Sequence, residues 1–63
     1  MKGIPDIIAI DNNGIFVGIE VKSMQGKQSL AQIKQQELIE NTNGVYILAR
    51  FVDDVRNYFE GGE

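Results

Sequence analysis

Asp6, Glu20 and Lys22 are the residues whose types and spacing can do chemistry together, with Gln32 further along the chain. The chain contains no histidine and no cysteine. That excludes imidazole and thiolate zinc sites, Ser-His-Asp and Cys-His catalysis, and histidine pH switching. Carboxylate, lysine, amide and hydroxyl chemistry remains. Two carboxylates brought together suit a hard, oxygen-ligated divalent cation such as Mg²⁺ or Mn²⁺. Such a cation can bind a phosphodiester oxygen and lower the pKa of a bound water. A lysine beside it can stabilise charge developing on the phosphoryl group or orient the attacking water.

Whether these residues meet depends on a hairpin. The β-branched runs 6–11 and 15–22 have strand length, and Asn12-Asn13-Gly14 lies between them with glycine placed for a left-handed turn residue. A two-residue Asn13-Gly14 loop would pair Asp6 with Val21 and set Glu20 opposite Ile7. A three-residue loop, a type I turn closed by a glycine bulge, pairs Ile10 with Phe16 and Asp6 with Glu20. In that second register the two carboxylates stand side by side, with Cβ atoms ~4.5–5.5 Å apart and Lys22 on the same face. Like charges opposed on an apolar sheet destabilise it unless something compensates them, and a bound cation does so. The sequence admits both registers.

The remaining elements follow from local signals. Pro5 suits the entrance of a strand. Ile8, Ile10 and Phe16 make one face of the hairpin apolar, and Ile7, Ile15, Val17 and Ile19 the other, which implies a sheet covered on both sides. Ser29 with Gln32 forms a capping box, predicting a helix from about Leu30 to about Asn41 that ends at Asn43-Gly44. The cap by itself accounts for Gln32 without any catalytic role. The apolar residues of this helix scatter over a wide arc, which suggests contact with a partner subunit. Val45–Ala49 reads as a third strand buried on both faces. From about Val52 a short amphipathic helix follows, with Asp53 and Asp54 in its first turn. The order is ββαβα, an α/β fold with a three-stranded mixed sheet.

At 63 residues the chain is one domain, and a small one that needs help to stay folded. Without disulfides or soft metal sites, self-association is the remaining source of stability. An apolar content of 43% with nine isoleucines argues against disorder. No apolar run approaches the ~18–20 residues of a membrane span. The start lacks the features of a signal peptide, so a soluble, cytoplasmic protein is the expectation. Net charge is −3, unevenly placed: residues 1–34 carry +1 and residues 35–63 carry −4. With Asp6 and Glu20 neutralised by metal, the first part would present +3, and Lys2, Lys27 and Lys34 become candidate phosphate contacts. Lone lysines beside a helix are also ordinary solvated surface. Lys22 has its own plain reading as a same-face ion-pair neighbour of Glu20. Tyr46, Phe51, Tyr58 and Phe59 read as core or dimer contacts.

Gly3-Ile4-Pro5-Asp6, Glu20-Val21-Lys22-Ser23, Gly26-Lys27 and Gln32 together resemble the PD-(D/E)xK nuclease superfamily, and more narrowly its VRR-NUC family, whose small stand-alone members occur in phages and prokaryotes. The resemblance runs from about Lys2 to about Phe59 and covers residues 1–63 as a single minimal restriction-endonuclease-like core. It implies metal-dependent hydrolysis of DNA phosphodiesters, with flap or branched DNA such as four-way junctions as substrate. It also implies a homodimer or higher oligomer. Asp6 and Glu20 would ligate Mg²⁺ or Mn²⁺ with the Val21 carbonyl, Lys22 would be the catalytic lysine, and Gln32 would lie near water or phosphate. The location implied is the cytoplasm of a prokaryotic or phage-infected cell. Family members usually open with a helix bearing a further acidic residue, and that element has no counterpart before Asp6. A second chain completing the fold, by exchange of elements, is one expectation. A non-catalytic DNA-binding or assembly module that keeps the nuclease fold is the alternative.

Overall fold

The computed structural model describes residues 4–60. The elements are β1 (Ile7–Ile10), β2 (Phe16–Val21), α1 (Leu30–Asn41), β3 (Val45–Ala49) and α2 (Val52–Glu60). They form a three-stranded sheet in the order β1-β2-β3, with β1 antiparallel and β3 parallel to the central β2. The expected ββαβα order and mixed sheet are present.

The hairpin adopts the three-residue register. Ile10 faces Phe16 and Ile7 faces Ile19. Asp11 decides it: its Oδ1 accepts the N–H groups of Asn13 and Ile15, at 2.8 and 2.9 Å. Its carbonyl accepts Gly14 N–H at 3.0 Å, and Gly14 has φ +79°, which only glycine adopts without strain. The far carboxylate oxygen of Asp11 accepts the Tyr58 hydroxyl at 2.6 Å, tying α2 to the turn.

α1 begins and ends where its caps dictate. Ser29 N–H donates to Gln32 Oε1 at 2.9 Å, and Gln32 N–H donates to Ser29 Oγ at 3.1 Å. At the other end Asn43 has φ +67°, and the N–H groups of Asn43 and Gly44 return to the carbonyls of Glu40 and Ile39. This is a Schellman closure with asparagine as its left-handed residue. In α2, Asp54 accepts the N–H groups of Arg50 and Phe51 at 2.8 and 3.0 Å. It therefore caps the helix directly as well as suiting its dipole.

One core lies between the sheet and α2: Val17, Ile19 and Ala49 are buried, with Ala9, Val45, Ile47, Val55 and Tyr58 around them. On the opposite face Ile39 of α1 and Pro5 close over Gly18. A Cβ at Gly18 would come within 2.8 Å of Pro5 Cγ and 3.0 Å of Ile39 Cδ1. Gly18→Ala is therefore expected to destabilise the fold by about 1–3 kcal/mol, read as a lower urea midpoint at unchanged slope.

The sheet differs from expectation in its cover. β1 is an edge strand, and Ile8 and Ile10 are 55% and 69% exposed. β3 is half-buried except for Ala49. Both helices pack on the β3 side of the sheet and β1 gives only Ala9 to the core, because one short helix per face cannot span three strands.

Candidate metal centre

Glu20 stands at the end of the central strand and is only 4% exposed. β2 parity puts it on the α1 face with Gly18, and the parallel register adds Tyr46 and Leu48 of β3 to that face. Gln32 reaches down from the first turn of α1, and its Nε2 donates to Glu20 Oε2 at 2.6 Å. The cap and this contact are one device. Because Ser29 N–H occupies Gln32 Oε1, the amide can present only its NH₂ group to the carboxylate. The capping box is present, and the same amide is also set on Glu20.

Glu20 Oε1 is buried and has no hydrogen-bond partner among the described residues. A buried carboxylate oxygen left unpaired is costly, and native proteins normally supply it with a donor or a cation. Burial above all, then the nearby charge of Asp6, pushes the Glu20 carboxyl above its ordinary value of 4.5, against the pull of Lys22.

Asp6 occupies the position the register places opposite Glu20, but it sits in a bend just outside β1. Its Oδ2 accepts Val21 N–H at 2.9 Å, so the carboxylate caps the open end of the ladder and does not stand as a strand residue on the sheet face. The chain has left the ladder here, and Pro5 has no N–H to offer. The Val21 carbonyl, on the same edge as its N–H, is therefore left without a strand partner. Lys22 is half-buried two residues beyond Glu20, and its N–H donates to the Ala49 carbonyl at 3.0 Å. It forms no ion pair with Glu20; the salt bridge among the described residues is Arg56–Asp53 at 3.2 Å. The connection after Lys22 is held by Arg50, whose guanidinium donates to the Ser23 carbonyl.

Lys27 and Lys34 are exposed. Lys34 lies two residues beyond Gln32, roughly 200° round the helix from it. Lys2 lies outside the described residues. Tyr46 belongs to the site's surroundings, although its sequence suggested only core or dimer packing. Its hydroxyl is buried and unpartnered. Burial raises its pKa, Gln28 lowers it, and the charges of Glu20 and Asp6 raise it further. The signal for Tyr46 is parity in β3, which becomes readable only once Gly18 is known to face it.

No group of three or more acidic, histidine or cysteine side chains able to hold a metal occurs among the described residues. The oxygens expected from the sequence are those of Asp6, Glu20 and the Val21 carbonyl; Asp6 Oδ2 is engaged by Val21 N–H and Glu20 Oε2 by Gln32. Two carboxylates and a carbonyl, with the other positions left to water and substrate, is a composition that suits Mg²⁺. Glu20 Oε1 is a buried carboxylate oxygen without a donor among the described residues, the atom such a cation would serve. No family model, curated protein or solved structure matches the chain.

Proposed function

We propose that the chain is a divalent-metal-dependent phosphodiesterase with a minimal PD-(D/E)xK nuclease core. Within that class we read it as a VRR-NUC-like DNA endonuclease selective for branched DNA. The observation that carries this reading is the buried, unpaired Glu20 oxygen beside Asp6 and within the field of Lys22.

The donors Asp6, Glu20 and the Val21 carbonyl would hold Mg²⁺ or Mn²⁺, which when bound supplies Lewis acidity to the scissile phosphate and to water. Glu20 contributes a carboxylate whose direction is fixed by Gln32, so little reorganisation is needed. Asp6 is held by Val21 N–H through its Oδ2. Lys22 contributes an ammonium group that stabilises negative charge as water attacks phosphorus and the P–O ester bond breaks.

The test is incubation of the purified chain with supercoiled and four-way-junction DNA in Mg²⁺, Mn²⁺ or EDTA. Cleavage that requires metal and disappears in Asp6→Ala supports the reading. DNA binding that ignores divalent metal, with no cutting, would replace it with the non-catalytic module. Gln32→Ala is expected to weaken metal affinity by roughly 10–100-fold, the usual cost of removing a residue that orients a ligand. Titrating Mn²⁺ against activity measures it.

A further inference from the structure

The outer edge of β1 carries no strand among the described residues. Asp11 N–H donates to the Ile15 carbonyl, so the alternation of the ladder makes Ala9–Val17 and Ile7–Ile19 the hydrogen-bonded pairs. The N–H and C=O groups of Ile8 and Ile10 therefore point outward, with no partner among the described residues. Edge strands are normally protected by a lysine, a proline, a bulge or a covering element. Ile7-Ile8-Ala9-Ile10 has none of these within it, and Ile7, Ile8 and Ile10 are all exposed.

The side chains point the same way: Ile7, Ile8 and Ile10 are 48%, 55% and 69% exposed, so the edge offers an apolar row that a second copy of the same strand matches. The apolar cleft between β1 and α2, lined by Ile7, Val21, Phe51 and Val55, is also open. It offers no unpaired backbone row to specify a partner, whereas the β1 edge does.

We propose that β1 pairs antiparallel with β1 of a second copy about a two-fold axis at Ala9, joining two three-stranded sheets into one of six strands. This register sets Ile8 opposite Ile10 of the copy in both directions and uses all four outward N–H groups of the two strands. Ala9 meets its own copy on the axis. Asp11 falls opposite Ile7 and Asp6 opposite Asn12, so no carboxylate faces a carboxylate. An axis perpendicular to the sheet preserves its faces. Both Glu20 sites then open on the same side, roughly 20–25 Å apart by strand spacing and rise. The interface stands on geometry that does not depend on the nuclease reading.

The chain has no cysteine, so Ala9→Cys introduces a single thiol. Opposed positions in a non-hydrogen-bonded pair have Cα atoms about 4.5 Å apart, within the ~4.4–6.8 Å range of disulfides. Mild oxidation of Ala9→Cys should give covalent dimer at least about tenfold faster than Val52→Cys on exposed α2, since a held pair has a roughly mM effective concentration. Sedimentation equilibrium across the micromolar range should show a wild-type dimer. Ile10→Lys should shift it to monomer with its far-UV circular dichroism retained. If Ile10→Lys fails to fold, the two oxidation rates decide. Equal rates, a wild-type monomer throughout, or a dimer that survives Ile10→Lys would overturn the proposal. A dimer that leaves DNA intact would sink the nuclease reading alone, and a monomer that cuts DNA would sink this interface alone.

Discussion

Glu20→Gln is expected to remove metal-dependent DNA cleavage by roughly 10³-fold or more, the loss of the several kcal/mol that Lewis-acid stabilisation supplies. The same substitution is expected to stabilise the metal-free chain at neutral pH. Both effects come from one oxygen. Glu20 Oε1 is buried without a partner among the described residues, and the carboxyl is raised above 4.5 by that burial and by Asp6. A carboxyl whose folded pKa exceeds its unfolded one binds its proton more tightly when folded, so ionisation costs stability. That cost is absent below about pH 4.5, grows as pH rises through the folded pKa, and is complete above it.

The wild-type metal-free chain should therefore melt higher as pH falls from neutral toward 4.5. Asp11 and Asp54 act in the opposite sense, and only lower down. The Tyr58 hydroxyl, followed by the Ile15 N–H, holds Asp11 below 3.8, and the N–H groups of Arg50 and Phe51 hold Asp54 there. Their contribution is lost as pH drops through those lowered values, which sets the acid side of the maximum. Glu20→Gln should flatten the limb above pH 4.5 and leave the acid limb in place. Mn²⁺ should raise the wild-type melting temperature at neutral pH and leave Glu20→Gln unmoved. Thermal melts across pH, with and without Mn²⁺, measure all of this without reference to DNA. A wild-type chain that gains no stability on mild acidification would remove the buried-carboxylate argument.

Lys22→Met should lower the single-turnover cleavage rate by roughly 10²–10³-fold, the range found when one preorganised charge donor is removed. The metal concentration needed for half-maximal rate should change little, because Lys22 is not among the oxygen donors. A second consequence distinguishes this from simple loss of packing. Lys22 now pulls the Glu20 carboxyl down, so removing its charge leaves Glu20 raised further. The acid limb of the pH–rate profile should therefore move to higher pH. Lys22→Arg keeps the charge and should hold that limb near its wild-type position, even if its bulk slows the reaction. An unshifted limb in Lys22→Met would place the ammonium too far from Glu20 to act at this site.

Much of this was readable residue by residue. The Ser29–Gln32 box and the Asn43-Gly44 stop bounded α1, and Val45–Ala49 was a strand by composition. Those signals act over three or four residues, the range within which side chains meet their own backbone. The hairpin register was narrowed to two choices, and the Asp11 carboxylate selected between them by taking two turn N–H groups. That register extends to set Asp6 across from Glu20, but the ladder ends at Ile7 and the bend at Asp6 turns its carboxylate onto Val21 N–H.

By itself the sequence determined the element order, the capping of α1 and the exclusion of histidine and cysteine chemistry. Only the tertiary structure decided three further things. Glu20 became a buried carboxyl with one oxygen unpaired among the described residues, because α1 closes over the central strand at Gly18. Gln32 became its orienting partner, because the cap holds the amide oxygen on Ser29 N–H and leaves the NH₂ group facing Glu20. β1 gave only Ala9 to the core, because each helix is short and packs on the β3 side of the sheet. Burial and the facing of side chains depend on contacts far apart in sequence, and no local pattern of residues encodes which surface another element will leave bare.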